Sequence, residues 1–390
     1  MSEPRRTTKV HFPLPAAVSK IDIVTRYLFS SHDGFGLGHV RRNLQIARAV
    51  LDADPSAEVT VITGVAAGPP WLHQDDIEVI AVPPLLKGHD GVYRNSSMSF
   101  TAAIGARAEV FLATIEARRP DVVVVDRHPF GIAGELRAGL EAAHRRGART
   151  VLGLRDVIDD PATVADELSG AGWNDVPSLF SDVLVYGERS LCDHVAEYGL
   201  PVEPTYCGWV TAPVAAQPIE SQRLVVAAGG GGDAHTLLTL AAELLGCRED
   251  WNATVIAGPY LAGDDAVHPS VRSRLSWRSN VDGCAPFFAA AGAVLQMAGY
   301  NSVAESVAAG SRPLLVPRRS PRREQAIRAS RLAALGLADV VDAGAGGSEI
   351  AWLLDQPRRL APNALAGAGI RLDGAQRAAA YLARHAPVCS

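Results

Sequence analysis

Four stretches of this chain combine residue types and spacings that suit chemistry. The first is Gly34-Phe35-Gly36-Leu37-Gly38-His39. Glycine lets the backbone turn sharply and lets a ligand come close, here at Gly36 and Gly38. A helix beginning near His39 presents free N–H groups and the positive end of its dipole. The imidazole itself could take a proton from a hydroxyl. The alternative is a tight turn holding a structural histidine. The spacing is not the dinucleotide G-x-G-x-x-G, and no acidic residue ends the next strand to hold a ribose.

The second stretch is Gly229-Gly230-Gly231-Gly232-Asp233. Four glycines in a row cost conformational entropy and make sense where backbone amides wrap a pyrophosphate; otherwise the loop is simply pliant. No Lys-Ser/Thr follows, so it is not a Walker A loop. The third runs from Gln296 to Glu305, where a strand gives way at Gly299 to a helix starting near Asn301 and Ser302. Such a helix start can hold a phosphate, and Glu305 can accept hydrogen bonds from two ribose hydroxyls or simply favour the helix start. The fourth is Pro317 to Gln325, PRRSPRREQ. Its four arginines suit anionic phosphates, or form a solvated basic loop, and Glu324 and Gln325 could read sugar hydroxyls.

Further polar residues follow strands in the first half: Asp126-Arg127-His128, Arg155-Asp156 and, a little later, Asp160. A carboxylate close to His39 could orient it or serve as the base; an aspartate at a strand end can also be a turn or helix cap. Asp159-Asp160 and Asp264-Asp265 read as solvated loop pairs, and no His/Cys spacing suits zinc.

The elements that must place these residues alternate. Strands are expected at 26–31, 59–64, 77–83, 121–126, 150–156 and 182–188, with helices at about 40–52, 101–118 and 131–146. DVVVVD at 121–126 has the branched run of a strand buried on both faces. After the Pro- and Ala-rich 211–221 the pattern restarts: a strand from 223, a helix at 234–247, strands at 253–258, 293–299 and 312–317, and helices at 301–309, 322–335 and about 363–385. The expectation is an α/β chain with two Rossmann-like domains, each a parallel sheet covered on both faces. Their bounds are a flexible leader at 1–22, a first domain at 23–210, a linker at 211–221, a second domain at 222–362, and a C-terminal helix at 363–390 returning toward the first. Ligands of such sheets sit beyond the carboxyl ends of the strands, so the cleft between domains is the natural site.

Composition sets outer bounds. The chain has 390 residues, 48% of them hydrophobic, enough for two cores. A net charge of -5 carries no nucleic-acid footprint. Five scattered cysteines without a C-x-x-C pair fit a reducing cytoplasm. The first twenty residues lack the apolar run of a secretory signal, and no stretch is long and apolar enough to span a membrane. Cytoplasmic residence is expected, with a peripheral contact at the inner face of the membrane left open.

Taken jointly, Gly34 to His39 with Arg41-Arg42-Asn43, Gly229 to Gly232, Gly299 to Glu305, and the spacing through Pro313–Pro317 to Gln325 resemble the bacterial glycosyltransferases related to MurG, a GT-B, family 28-related group, and within it a branch of predicted glycosyltransferases. The resemblance runs from about residue 24 to the end. It implies a second domain that holds the nucleotide, with Glu305 on the ribose and Gln325 on the donor sugar. Phe35 and Leu37 interrupt the Gly-Gly-rich first loop of that group, and Leu154-Arg155-Asp156 stands where its acceptor loop has a His-Glu-Gln-Asn run.

The reading is therefore an inverting, metal-independent transfer from a nucleotide diphosphate sugar, a UDP-sugar foremost, to an acceptor hydroxyl that is lipid-linked, on a polysaccharide or on a small natural product. The donor is a substrate, and no cofactor is expected. His39 is the expected base, with Asp156 as helper or rival. Gly36, Gly38, Gly230, Gly231, Gly232, Gly299, Asn301, Ser302, Glu305, Glu324 and Gln325 fall on the donor side, and Asp126, His128 and Arg155 on the acceptor side. Other readings are a UDP-N-acetylglucosamine 2-epimerase on the same fold, a non-catalytic nucleotide-sugar-binding partner of another transferase, and, disfavoured by the first glycine pattern, a nicotinamide-dependent oxidoreductase.

Overall fold

Val122 to Asp126 are all buried in the computed structural model of the chain. Their side chains alternate between two cores: Val122 and Val124 pack with Tyr27, Phe29 and Leu44, and Val123 and Val125 with Leu28, Phe111 and Leu140. A strand apolar on both faces demands helices on both faces. The structure describes residues 24–31, 37–65, 70–88, 92–228, 234–258, 269–279, 281–320 and 322–384.

The first sheet has seven parallel strands in the order β3-β2-β1-β6-β7-β8-β9. They are β1 (Arg26–Ser30), β2 (Glu58–Thr63), β3 (Ile77–Ala81), β6 (Val122–Asp126), β7 (Arg149–Arg155), β8 (Asp182–Tyr186) and β9 (Thr205–Tyr206). A two-stranded antiparallel ribbon, β4 (Leu86–Lys87) with β5 (Tyr93–Arg94), stands apart. The second sheet is also parallel, in the order β12-β11-β10-β13-β14-β15. Its strands are β10 (Glu220–Ala227), β11 (Asn252–Ala257), β12 (Leu275–Ser279), β13 (Ala291–Gln296), β14 (Leu314–Leu315) and β15 (Asp339–Val340). Leu224 and Val226 face one core, Val225 and Ala227 the other.

Three expected elements are much shorter than their sequence pattern, and one of them, the strand expected at 312–317, is Leu314–Leu315. The helix expected over 131–146 is Arg137–Arg145, because Glu135 folds back to accept from the amides of Ile132 and Ala133 and ties residues 131–135 into a turn. The 363–385 stretch is a short turn, Ala364–Gly367, followed by a helix, Gly374–Arg384. Gly374 lies against the chain at 208–209, where an added Cβ would meet the Gly208 carbonyl at 2.5 Å. The closing helix covers the helix Gly38–Ala53, and Ala378 and Leu382 join the core of Val40 and Leu44.

The two sheets share that core, since Tyr300, Val303, Ala304 and Leu332 of the second half belong to it. A polar seam accompanies it. Arg328, on the helix Glu324–Ala334, donates from Nε and Nη2 to the two oxygens of Asp156 at 2.8 and 2.6 Å. Both side chains are 1% exposed. Nη1 of Arg328 donates to the Ala298 carbonyl at 2.8 Å. Arg331 of the same helix pairs with Glu197 and donates to the Leu191 carbonyl at 2.6 Å. Among the described residues no helix is long and apolar enough to cross a membrane.

Removing one member of a buried pair strands the other charge. Asp156→Ala should cost about 3–5 kcal/mol in urea unfolding, whereas Asp156→Leu with Arg328→Met should lie close to the parent. A loss below about 1 kcal/mol in Asp156→Ala would mean that water reaches Arg328 and that the seam is no anchor.

Candidate active site in the cleft between the sheets

His39 and Arg42 are three residues apart on the first turns of the helix Gly38–Ala53, so they share a face. That face meets the carboxyl end of β6. Asp126, the last residue of β6, is 2% exposed. Its Oδ2 lies 2.8 Å from His39 Nδ1, and Arg42 Nη2 donates to both its oxygens at 2.8 Å. Burial by itself would raise the Asp126 carboxyl; Arg42 and then His39 outweigh it and hold the group at about 2. Burial pushes the His39 imidazole below its ordinary value, against the opposing pull of Asp126. A neutral ring beside an ionised carboxylate places its proton on Nδ1, donating to Asp126, and leaves the lone pair on Nε2. Arg42 Nη2 also comes within 3.1 Å of Nδ1, but the carboxylate is the acceptor that satisfies it. The Arg42 guanidinium lies between the rings of Tyr186 and Tyr300, 5.3 Å from each.

Beyond Asp126 the chain turns at Arg127, which has φ 72°. A non-glycine residue in this region is uncommon and strained. The turn sends the Arg127 guanidinium to Glu167, which it holds at 2.7 and 2.8 Å. His128 is 3.6 Å from the same carboxylate. Burial, then Arg127, drives its pKa down to about 3, so it is neutral at pH 7. Arg155, at the end of β7, completes this rim and contributes to the lowering at His39.

Across the cleft, β13 ends at Gln296 and the helix Tyr300–Ala308 starts after Gly299 without a side-chain cap. Its first amides have no partner within the helix, the arrangement that receives anions. The Ser302 hydroxyl donates to Gln296 Oε1, and Gln296 Nε2 donates to Ser306 Oγ at 2.7 Å. Glu305 accepts from the Cys284 amide at 2.6 Å and so fixes the loop after β12. Arg41 reaches over from the first half to the Val281 carbonyl at 3.1 Å, with its guanidinium 4.3 Å from the Trp71 ring centre.

The structure thus brings His39 and Asp126 into contact, with His128 and Arg155 on the same rim. It gives Asp156 a different partner. Both of its oxygens are engaged by Arg328 and one also accepts from the Val157 amide, so it is neither in contact with His39 nor placed to take a proton. Asn301 turns from the donor side to bridge the halves, donating to the Gly38 carbonyl at 3.0 Å. Glu324 is buried and ion-paired with Arg318 and Arg155, and Gln325 Oε1 accepts from the Arg318 amide at 3.2 Å. Asp159, expected to be solvated, is buried and accepts from the Arg323 amide at 2.8 Å. Gly36, Gly230, Gly231, Gly232, Asp264, Asp265 and the 1–22 leader lie outside the described residues. Among the described residues no group of three His, Cys, Asp or Glu side chains is placed to hold a metal ion. Sequence reading missed Arg42 as the partner of Asp126 and Arg328 as the partner of Asp156. Spacing held a signal for each, since Arg42 follows His39 by three and Arg328 follows Glu324 by four on one helix.

No family model and no curated protein matches the sequence. Solved structures do match in shape. The glycotransferase of kitacinnamycin superposes with a TM-score of 0.65 at 16% identity, over 94% of this chain and 100% of that one. MurG of Acinetobacter baumannii gives 0.54 at 16% identity, over 93% and 95%. UGT71G1 of Medicago truncatula, complexed with UDP-glucose, gives 0.57 at 14% identity, over 95% and 96%. At these identities the likeness concerns the fold: this chain has the GT-B architecture of two parallel α/β sheets.

The half-buried imidazoles of His39 and His128 carry a pH dependence. A histidine whose folded pKa is depressed lets the unfolded chain bind more protons below the ordinary value. For His128, stability is therefore full above about pH 6.5 and falls as the pH drops from there toward about 3. Imidazole NMR should show the His128 midpoint far below 6.5, and Asp126→Asn should lower the His39 midpoint further. A His39 midpoint above 7 would mean a protonated ring and rule out its use as a resting base.

Proposed function

We propose that this chain is an inverting glycosyltransferase that moves a sugar from a UDP-sugar to an acceptor hydroxyl without a metal. The observation that carries the reading is the His39–Asp126 pair: a neutral imidazole whose Nδ1 is held by a buried, ionised carboxylate. It stands at the carboxyl edge of the first sheet, opposite the uncapped start of the helix Tyr300–Ala308. The GT-B neighbours support the class, and the UDP-glucose complex of one of them supports the choice of donor.

In this reading the acceptor O–H gives its proton to His39 Nε2. The freed oxygen attacks the anomeric carbon from the face opposite the diphosphate, a new C–O bond forms, and the bond to the leaving phosphate breaks with its electron pair on UDP. Asp126 keeps the ring in the Nδ1–H tautomer and stabilises the imidazolium that forms. Arg42 keeps Asp126 ionised. The helix start at Gly299 to Ser302, with the glycines at 229–232, would receive the diphosphate, and fixed dipoles aimed at developing charge can replace a cation. Glu305 would hold the ribose. The reaction would take place in the cytoplasm.

A general base contributes about 10²–10⁴-fold, so His39→Ala should lower turnover within that range and leave UDP affinity nearly intact. Glu305→Ala should weaken UDP binding by about 1.5–3 kcal/mol, measured by calorimetry on a folded variant. A screen of UDP-, dTDP- and GDP-sugars with mass spectrometry of the products tests the class. Conversion of donor without any acceptor would favour the epimerase, and donor binding without turnover the non-catalytic partner. EDTA should leave the rate unchanged; full loss restored by magnesium or manganese would overturn the metal-free mechanism.

A further inference from the structure

We propose that the acceptor carries an oxyanion, a phosphate ester or a carboxylate, which Arg155 and Arg322 seat beside His39. The inference rests on the glycosyl-transfer reading and adds the chemical class of the acceptor. It comes from how the arginines of the rim are paired. Arg127 is neutralised by Glu167, and Arg328 by Asp156, each through two short hydrogen bonds. Arg155 and Arg322 are not matched in this way. Arg155 Nη2 donates to a neutral partner, the Ile158 carbonyl, at 2.9 Å. Its Nε is buried without a hydrogen-bond partner among the described residues. The carboxylate facing it, Glu324, stands 3.9 Å away, beyond hydrogen-bond reach, and the same oxygen is 3.3 Å from Arg318. Arg322 is 3.4 Å from Asp159 Oδ2. The other oxygen of Asp159 already accepts from the amides of Arg323 and Asp160.

The ion pairs of the rim set five arginines, Arg127, Arg155, Arg318, Arg322 and Arg328, against four carboxylates, Glu167, Glu324, Asp159 and Asp156. Glu324 Oε2 and Asp159 Oδ2 are buried without a hydrogen-bond partner among the described residues. One positive charge is therefore in excess, and the donors of Arg155 and Arg322 are not spent on these carboxylates. Burial, resisted by Glu324 but reinforced by Arg328, Arg127 and Arg322, brings the Arg155 guanidinium down to about 10. Gathering like charges in a partly dry site is costly, and an entering oxyanion relieves that cost. A guanidinium also presents the planar donor fork that carboxylate and phosphate oxygens fit. The position suits an acceptor. Asp126 pairs in register with Gly153, so the Arg155 backbone lies two residues along the adjacent strand, about 8 Å from that of Asp126. The Arg155 side chain is 17% exposed. An anion bound there leaves a hydroxyl a few bonds away within reach of the His39 ring.

Calorimetric titration of the full chain with glycerol 1-phosphate, glycerate and glycerol tests this, since the three present one hydroxyl scaffold with a phosphate, with a carboxylate and with neither. With UDP saturating, at least one anionic probe should bind 10-fold or more tighter than glycerol, the scale of about one charge-assisted hydrogen bond, and whichever binds tighter identifies the group. Arg155→Gln and Arg322→Gln should each erase that preference. Should Arg155→Gln fail to fold, Arg322→Gln, on the more open side, decides alone. Equal binding of all three probes, a preference unchanged in the variants, or a preference abolished by UDP would overturn the proposal, the last because the anion then belongs to the diphosphate site. Failure of UDP itself to bind would instead sink the glycosyl-transfer reading, and the same titrations without UDP still report on Arg155.

Discussion

Two charges withdrawn from water, Asp156 and Arg328, set the relation between the halves of this molecule. Taking such ions into a protein interior costs several kcal/mol each, and attraction offsets the cost only when the geometry is nearly complete. Here it is: two donors of Arg328 meet two oxygens of Asp156, and a third meets the Ala298 carbonyl. That last bond extends the consequence. Ala298 is the residue before Gly299, where the helix Tyr300–Ala308 begins. One arginine therefore ties the end of β7 in the first sheet to the start of the helix on the far wall of the cleft.

The His39–Asp126 pair depends on the same closure. The carboxylate stays ionised largely because Arg42 touches both its oxygens. Arg42 is held charged in a dry site first by Asp126 itself, with two aromatic rings lying beside the guanidinium as a further contribution. One ring, Tyr186, comes from the first half, the other from the second. Tyr300 is held in turn by the Val210 amide, which donates to its hydroxyl. The chemistry proposed for the imidazole thus rests on side chains from both sheets, although the imidazole and its carboxylate belong to one.

Much of this architecture is legible in the sequence. Runs such as Val122 to Val125, short and wholly β-branched, read as strands buried on both faces, and each glycine-rich turn after a strand marks a carboxyl edge. Edge strands are harder to read: β12 is LSWRS, partly exposed and polar, and β15 is two residues long. Such segments acquire their conformation from the neighbour they pair with. The site divides along the same line. Asp126 and Asp156 are each an aspartate at the end of a valine- or leucine-rich strand, and nothing local separates them. What separates them is distant: the partner of Asp156 stands 172 residues away, while His39 stands 87 residues from Asp126. Local pattern reports which residues reach the cleft edge, not which of them a remote arginine engages.

The helix Gly374–Arg384 has a bearing on how the chain can be made. The first sheet has all its strands by Tyr206, yet part of the apolar face of its first helix is covered by Ala378, Ala379 and Leu382. At a ribosomal rate of about 5–20 residues per second, the intervening segment takes on the order of ten seconds or more to appear. Through that interval Val40 and Leu44 lack their final cover, and the first half is a ready substrate for a chaperone or a protease. The helix Gly374–Arg384 completes a core that the first strands begin, so commitment of that core to its native packing waits until synthesis has passed Leu382.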